Sequence, residues 1–351
     1  MSTQELLGPA NSSVASTADA LVTDVGGTHI RFALVRSESN RDPIGQVAQV
    51  APAPHYELIS PTRRTIRSWN TIAEAIRWYL SQCGGVSSAR PTVISIAGTI
   101  TGDRVALTNG HWEFSANELV RDLGLSDLRV LNDFGANGWL LPNLTPADLR
   151  VVGSLYHRSM DFPVSAMLGP GTGLGVSAVS QRNGRTHVLD TEGGHMTFAP
   201  QNDAQKQLAE TLGTRYEHLS WERIVSGPGL VNIYASMFGG DENATPEYIV
   251  GAAKDGNAAA NGAIDLFCGA FGAFAGDVVM VYGAWGGAYL VGGLAYLVSD
   301  GREAIFRQEF EAKGRFSEHL KRTPSFVVQR QFAGLHGCAC HLHYDRHQHA
   351  A

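Results

Sequence analysis

Cysteine is scarce in this 351-residue chain, and what there is follows no pattern. Cys83, Cys268, Cys338 and Cys340 make neither an evenly spaced framework nor a pair of CxxC motifs. That argues against a disulfide-stapled secreted fold and for a reducing, cytoplasmic compartment. Charge is also thin: 17% of residues are charged and the formal net charge is −6. Lys and Arg are scattered, with no basic stripe and no acidic tail, so the composition offers nucleic acid no surface. The opening MSTQELLGPANSSVASTADA lacks the basic start and apolar core of a signal peptide, and residues 1–19 read as a mobile tail. One uncharged run, Val278 to Ser299, is long enough to cross a bilayer. Gly283, Gly286, Gly287, Gly292 and Gly293 interrupt it and no Lys or Arg cluster flanks it. It reads instead as a buried strand, a glycine turn and a buried helix.

The length and the 44% of hydrophobic residues predict a globular chain of about two domains. Residues 37 to 54 are polar and carry Pro43, Pro52 and Pro54, the composition of a connection or an irregular edge. Ser68 to Gln82 places Trp69, Ile72, Ala73, Ile76, Tyr79 and Leu80 at helical spacing, and Gly84-Gly85 stops it. Thr92 to Ala97 predicts a buried strand, and Ser115 with Glu118 a capping box opening a helix that ends near Gly124. Leu128 to Leu131 predicts a strand that delivers Asn132 and Asp133 at its C-terminal end, before a helix from Gly135 to Leu141. Open α/β sheets bind ligands beside such strand ends. The pattern restarts past Pro142, which marks a domain boundary near 142–150. Asn183-Gly184 predicts a hairpin turn, and the segments Trp221 to Phe238 and Asn257 to Gly276 look helical.

DVGGTHIRFALV, residues 24–35, is missing something as well. The glycine turn runs from one strand into another, whereas the usual phosphate loops run into a helix whose N-terminus supports the anion. Gly26, Gly27 and Thr28 offer positive φ, backbone N–H groups and a hydroxyl to phosphate oxygens. Asp24 offers an oxygen to Mg²⁺ through water. Taken alone, the stretch fits a tight hairpin with a solvated Asp better than a phosphate loop. A second strand-turn-strand, Gly169 to Gly175, holds four glycines in seven residues, more than a plain hairpin needs. Two such turns predict that a polyphosphate is gripped between hairpins rather than at one helix end. Asp133, Glu192 and His195 lie among glycines and apolar strands, where burial without a ligand is costly, and Glu222 opens a helix at SWERIVSGPG. Sugar hydroxyls would satisfy them. Glycoside hydrolysis would use the carboxylates but leave the glycine turns idle; phosphoryl transfer uses both sets.

The blocks DVGGTHIRFAL, ITGDRVALTNGHWEFS, LNDFGANGWLLP, LGPGTGLGVS, EGGHMTFAP, ERIVSGPGLVNIY, GAWGGAYLVGGL and KGRFSEHLKRTPSFVV occur in order from residue 24 to residue 328. Together they resemble the bacterial glucokinases, within the superfamily of hexokinases, actin and sugar kinases. The resemblance implies a two-domain α/β fold of the actin-like, ribonuclease H-like kind with a ligand cleft between the domains. A small domain would cover 20–143, with a helix over about 331–351 returning to it, and a large domain 144–330. It implies ATP and Mg²⁺ as cofactors, glucose as substrate, Asp133 as catalytic base, and Asn132, Glu192, His195, Glu222 and Asn109 on the sugar hydroxyls. Asp24, Gly26, Gly27 and Thr28 would form the first phosphate loop, with Asp24 on the magnesium side, and Gly171, Thr172 and Gly173 the second. A homodimer follows from the same resemblance, and neither a membrane nor a nucleic-acid partner does.

The resemblance has departures. His29 replaces the family's usual Asn and Thr99 a usual Pro, so a kinase for mannose, fructose or an amino sugar stays open. The C-terminal HGCACHLHYDRHQHA matches no zinc spacing, and no cysteine-rich motif follows His195. No helix-turn-helix precedes residue 20, which weighs against a sugar-responsive regulator.

Overall fold

The computed structural model describes residues 17–37, 55–108, 110–153, 162–183 and 185–348, with side chains as far as Tyr344. Most of the expected tail, Pro43, Pro52 and Pro54, and Asn109 lie outside the described residues. The chain forms two compact units. One comprises Met1–Asn143, Arg182–Thr186 and Gln331–Ala351, the other Leu144–Gln181 and His187–Arg330.

In the first unit, β1 (Ala20–Val25) and β2 (His29–Ser37) form a tight antiparallel hairpin with Val25 opposite Ile30. β3 (Tyr56–Thr65) flanks β2 at the sheet edge. An edge strand tolerates Pro61, and the adjoining Ser60, at φ 53, marks a register shift against Phe32 and Leu34, a β-bulge. The expected helix from Ser68 starts later, as α1 (Ile72–Gln82), capped by Thr71. Trp69 instead closes a 3-10 turn onto Ile66 and reaches the core from there, edge-on to Phe32.

β4 (Pro91–Ile96) runs parallel to β1. β5 (Gly98–Thr101), β6 (Arg104–Leu107) and β7 (Glu113–Ser115) make a separate antiparallel sheet. α2 (Ala116–Leu123) starts at the Ser115 cap and ends on Gly124 in the left-handed region. β8 (Asp127–Asn132) then pairs parallel with β4, and α3 (Asp133–Leu140) follows without a gap.

Alternation along the strands gives this sheet two apolar faces. Leu21, Val25, Ile30, Phe32 and Leu34 pack with Ile72, Ile76 and Tyr79 of α1 and with Leu119 and Leu123 of α2. Ala20, Val22, Ala33 and Val35 face the other way, toward Ala136 of α3 and Leu335, Cys338, Ala339 and Leu342 of the C-terminal helix, Ala333–Gln348. The cysteine- and histidine-bearing C-terminus is thus largely a core helix. All four cysteines are free and buried. Among the described residues no cluster of three metal-ligating side chains forms.

The second unit is built on the order β12-β11-β10-β13-β14-β9. β9 (Leu149–Val151) pairs with β14 (Ser325–Val328) at one edge. β10 (Val164–Pro170), β11 (Leu174–Arg182) and β12 (Arg185–Thr191) follow at the other, with Asn183 left-handed at φ 53 in the last turn. β13 (Ala288–Leu290) lies parallel between β10 and β14. The helices are α4 (Asp203–Gly213), α5 (Gly227–Phe238), α6 (Pro246–Lys254), α7 (Ala258–Tyr282), α8 (Glu303–Glu311) and α9 (Ser317–Arg322). The C-terminal helix of the first unit is α10.

The uncharged run therefore has a different order from the one expected. It opens as the end of α7, stops at Gly283 in the left-handed region, and only then supplies β13 and a 3-10 turn over Ala295–Leu297. α7 is long and apolar enough to cross a membrane by length and composition, but 72% of its most apolar window is buried inside the protein. Phe267, Phe271 and Phe274 are fully buried there. A helix apolar all round is a core helix when neighbours enclose it.

Close packing of α10 on α3 depends on Gly337, where a Cβ would lie 1.8 Å from the carbonyl oxygen of Ala136. Gly337→Ala should lower unfolding stability by at least about 2 kcal/mol, since the obstacle is backbone and cannot rotate away. A urea titration measures this, and an unchanged midpoint would contradict the packing.

Candidate active site

Three parallel strands of the first unit end at the same level: Val25 of β1 pairs with Ile96 of β4, and Ile96 with Asn132 of β8. One residue back, Asp24 lies beside Ser95, whose hydroxyl donates to Asp24 Oδ1 at 2.8 Å. Arg31 donates to Asp24 Oδ2, also at 2.8 Å. The tight hairpin makes this pair, because it sets Asp24 directly opposite Arg31. Register counting across a four-residue turn would have found Arg31; nothing in the linear sequence ties Ser95 to Asp24. The Asp24 side chain is only 14% exposed. The first turn of α10 stands against it, where a Cβ on Gly334 would come within 2.8 Å of both carboxylate oxygens.

The turn itself closes with Gly26 N–H donating to the His29 carbonyl at 2.9 Å. Gly26 does not use the positive φ that its sequence allows; the hairpin closes in ordinary backbone conformation, and a Cβ there would only touch the His29 carbonyl oxygen at 3.6 Å. Thr28 is exposed at its tip. Beside it, His29 is half-buried, with Arg63 Nη2 at 3.2 Å from its Nδ1.

Asn132 caps α3, accepting from Phe134 N–H at 2.9 Å and Gly135 N–H at 3.2 Å through Oδ1. Its amide nitrogen has no partner among the described residues and stays available as a donor. Asp133, half-buried, follows as the first residue of the helix, with Oδ1 accepting from Phe134 N–H at 3.0 Å. A carboxylate at a helix N-terminus is stabilised by the helix dipole.

In the second unit the other glycine turn joins β10 to β11. Thr172 is exposed at its tip and a Cβ on Gly171 would meet nothing, so the turn presents bare backbone. Gly227 N–H, at the start of α5, donates to the Gly171 carbonyl at 2.8 Å. A helix N-terminus therefore abuts this turn, supplied from more than fifty residues downstream. The expectation of a grip without a helix end is corrected to that extent. Glu222 Oε2 accepts from Leu174 N–H at 2.9 Å and would be struck at 2.5 Å by a Cβ on Gly173.

Glu192 and His195 flank the buried Gly193 and Gly194 in a 3-10 turn after β12, 3.8 Å apart. Their side chains are 76% and 57% exposed. The argument from costly burial thus fails for these two: the glycines take the buried positions and turn the polar side chains outward. Of the residues singled out by sequence, Asp24, Gly26, Gly27, Thr28, Asn132 and Asp133 belong to the first unit. Gly171, Thr172, Gly173, Glu192, His195 and Glu222 belong to the second.

His29 titrates below the usual 6.5, first because it is partly buried and then because Arg63 and Arg31 lie beside it. The unfolded chain takes up that proton first, so His29 adds a loss of stability as pH falls from 6.5 toward the depressed value, and none above it. Denaturation midpoints should drop less between about pH 7.5 and about pH 5.5 in His29→Asn than in the parent. Equal drops would contradict this electrostatic reading.

The glucokinase family model matches residues 21–345. A glucokinase of Xanthomonas euvesicatoria is 36% identical over 345 residues, covering 95% of this chain and 98% of the relative. One from Xanthomonas campestris is 37% identical over 337 residues, covering 93% and 96%. Among solved structures, a glucokinase from an Antarctic psychrotroph aligns with a TM-score of 0.77 at 28% identity, over 92% of this chain and 98% of that one. A ROK family glucokinase from Streptomyces griseus, solved with glucose and AMPPNP, shares the fold at a TM-score of 0.58 and 20% identity, over 91% and 97%. With its mixed α/β units of the actin-like ATPase kind, the chain belongs to the glucokinase family.

Proposed function

We propose that this chain transfers the γ-phosphoryl group of ATP to the 6-hydroxyl of glucose, with Asp133 as the general base. The observation that carries the reading is the position of Asn132 and Asp133 at the junction of β8 and α3, just beyond the level of Asp24 at the carboxyl ends of parallel strands. A carboxylate is a weak base, so its contribution is mainly geometric. The transition state is loose, and orientation of the hydroxyl with neutralisation of phosphate charge supplies most of the acceleration.

In this reading Asn132 donates to a sugar hydroxyl through its amide nitrogen, and Glu192, His195, Glu222 and Asn109 hold the others. Gly26, Gly27 and Thr28 receive phosphate oxygens at the first turn and Gly171, Thr172 and Gly173 at the second, where the exposed Thr28 and Thr172 and the open space at Gly171 support the assignment. Magnesium is read as held near Asp24. The donor suits it, being a hard carboxylate oxygen; both oxygens already accept from Arg31 and Ser95, so contact through water is the fitting mode. When bound, the ion supplies positive charge for the donor's phosphate oxygens. The reading also takes the enzyme as a cytoplasmic homodimer, a compartment that the four free cysteines suit.

In a coupled ADP-release assay, Asp133→Ala should lower kcat by about 10²–10⁴-fold while ATP binding and the far-ultraviolet spectrum persist. Turnover at the parental rate would refute the base. Sugar preference is tested by kcat/KM for glucose, mannose, fructose and glucosamine. Glucose should lead by at least about 10-fold, because a pocket built to pair hydroxyls leaves buried groups unpaired with the wrong epimer. A lead by another sugar would reassign the substrate, with Thr99, exposed on β5, the first position to revert.

A further inference from the structure

β2 and β3 bring an unusual set of cations together beside the first glycine turn. Their register places His29 opposite Thr65 and Arg31 opposite Arg63. His29 and Arg31 alternate with buried Ile30, so they share a face, and Asp24 lies on that face opposite Arg31. Asp24 balances Arg31 at 2.8 Å. Arg63 has no carboxylate partner among the described residues; its Nη2 instead approaches both nitrogens of His29, at 3.2 and 3.3 Å.

A neutral imidazole offers one in-plane lone pair, on whichever ring nitrogen lacks the proton, so at most one of these approaches is a hydrogen bond accepted by His29. Partial burial first, and then Arg63 from β3 and Arg31 from its own strand, lower the pKa of His29 and so favour its neutral form. Two guanidinium groups directly opposite each other on adjacent strands repel, and the one carboxylate on this face, Asp24, pairs with Arg31 alone among the described residues. The arrangement is therefore short of one negative charge. The shortfall lies beside exposed Thr28, whose carbonyl accepts from Ile66 N–H at 3.1 Å, tying the end of β3 to the turn.

We propose that Arg63, steadied by His29, is a further phosphate-binding arm of the first turn, contacting the terminal phosphoryl oxygens of a bound phosphate ester. This rests on the reading of Gly26–Thr28 as a phosphate loop. Guanidinium suits the task because its donors match phosphate oxygens in pairs. Without an anion, an exposed arginine placed against a second arginine gains nothing for the fold. The phosphate has two sources, the nucleotide donor and the phosphorylated sugar product. His29 acts as a positioning residue: it holds the guanidinium and does not itself touch the phosphate.

Steady-state kinetics on the full chain test the arm, with Arg63→Gln, Arg63→Lys, His29→Asn, His29→Leu and Thr28→Val compared with the parent. Arg63→Gln should raise KM for ATP about 10-fold, the size of a lost charged hydrogen bond, with KM for glucose within about 2-fold. Arg63→Lys should recover part of the loss, since it restores charge without the fork. His29→Asn, which keeps an acceptor, should stay near the parent, and His29→Leu should fall between. KM for ATP should also rise less steeply with potassium chloride in Arg63→Gln than in the parent. If Arg63→Gln instead leaves KM for ATP alone but weakens inhibition by glucose 6-phosphate, the arm stands and serves the product. If both constants are unchanged while Thr28→Val raises KM for ATP, the arm is refuted and the phosphate loop stands. If Thr28→Val is silent too, the loop reading falls and the arm with it.

Discussion

The approach of α10 to the first sheet is the contact on which the arrangement at the strand ends depends. The helix comes so near that Gly337 has no room for a methyl group against Ala136, and Gly334 none against Asp24. Because those positions lack side chains, Leu335, Cys338 and Ala339 reach the sheet and are buried there. Full burial of one leucine contributes about 2 kcal/mol. The same approach puts the N-terminal turn of a helix beside the Asp24 carboxylate, where its dipole favours negative charge. It also packs against the Asp24 carboxylate that Arg31 and Ser95 hold, and pushes the Cys338 thiol well above its usual titration range through burial and the nearby Asp24. That thiol is consequently a packing group.

A second constraint runs through both glycine turns. Each is closed by a backbone bond, carries an exposed threonine, and is backed by a helix from elsewhere in the chain: α10 behind the first strand and α5 at the second turn. In each, a carboxylate is held by neighbouring donors, Asp24 by Arg31 and Ser95, Glu222 by the Leu174 amide. The turns thus present N–H groups and hydroxyls in a fixed arrangement, with the adjacent charge already oriented. Under the proposed function such preorganisation would stabilise a transferring phosphoryl group, because no donor has to be recruited during the reaction.

The local elements were largely legible. Ser115 caps its helix and Gly124 ends it as the sequence announces, whereas Thr71, Asn132 and Gly283 set helix limits a few residues away from the expected Ser68, Gly135 and Gly276. The glycine turns declared themselves by composition. Less legible were the members that strand pairing recruits. Trp69 fitted a helical period yet packs from a 3-10 turn, and β3 carries a proline that only its edge position allows. Glu192 and His195 were read as buried from their glycine neighbours, whereas burial of those glycines is what turns the side chains outward.

The sequence by itself determined the family, the two strand-turn-strand motifs and the placement of Asn132-Asp133 at a strand end, since each is written in contiguous residues whose local preferences agree. Tertiary structure decided which charges meet. Asp24 finds Ser95 through parallel pairing of β1 with β4, Arg63 meets His29 across β2 and β3, and helix N-termini arrive at the turns from distant segments. Those contacts depend on register and on close approach at glycines, which are properties of the packed sheet and helices.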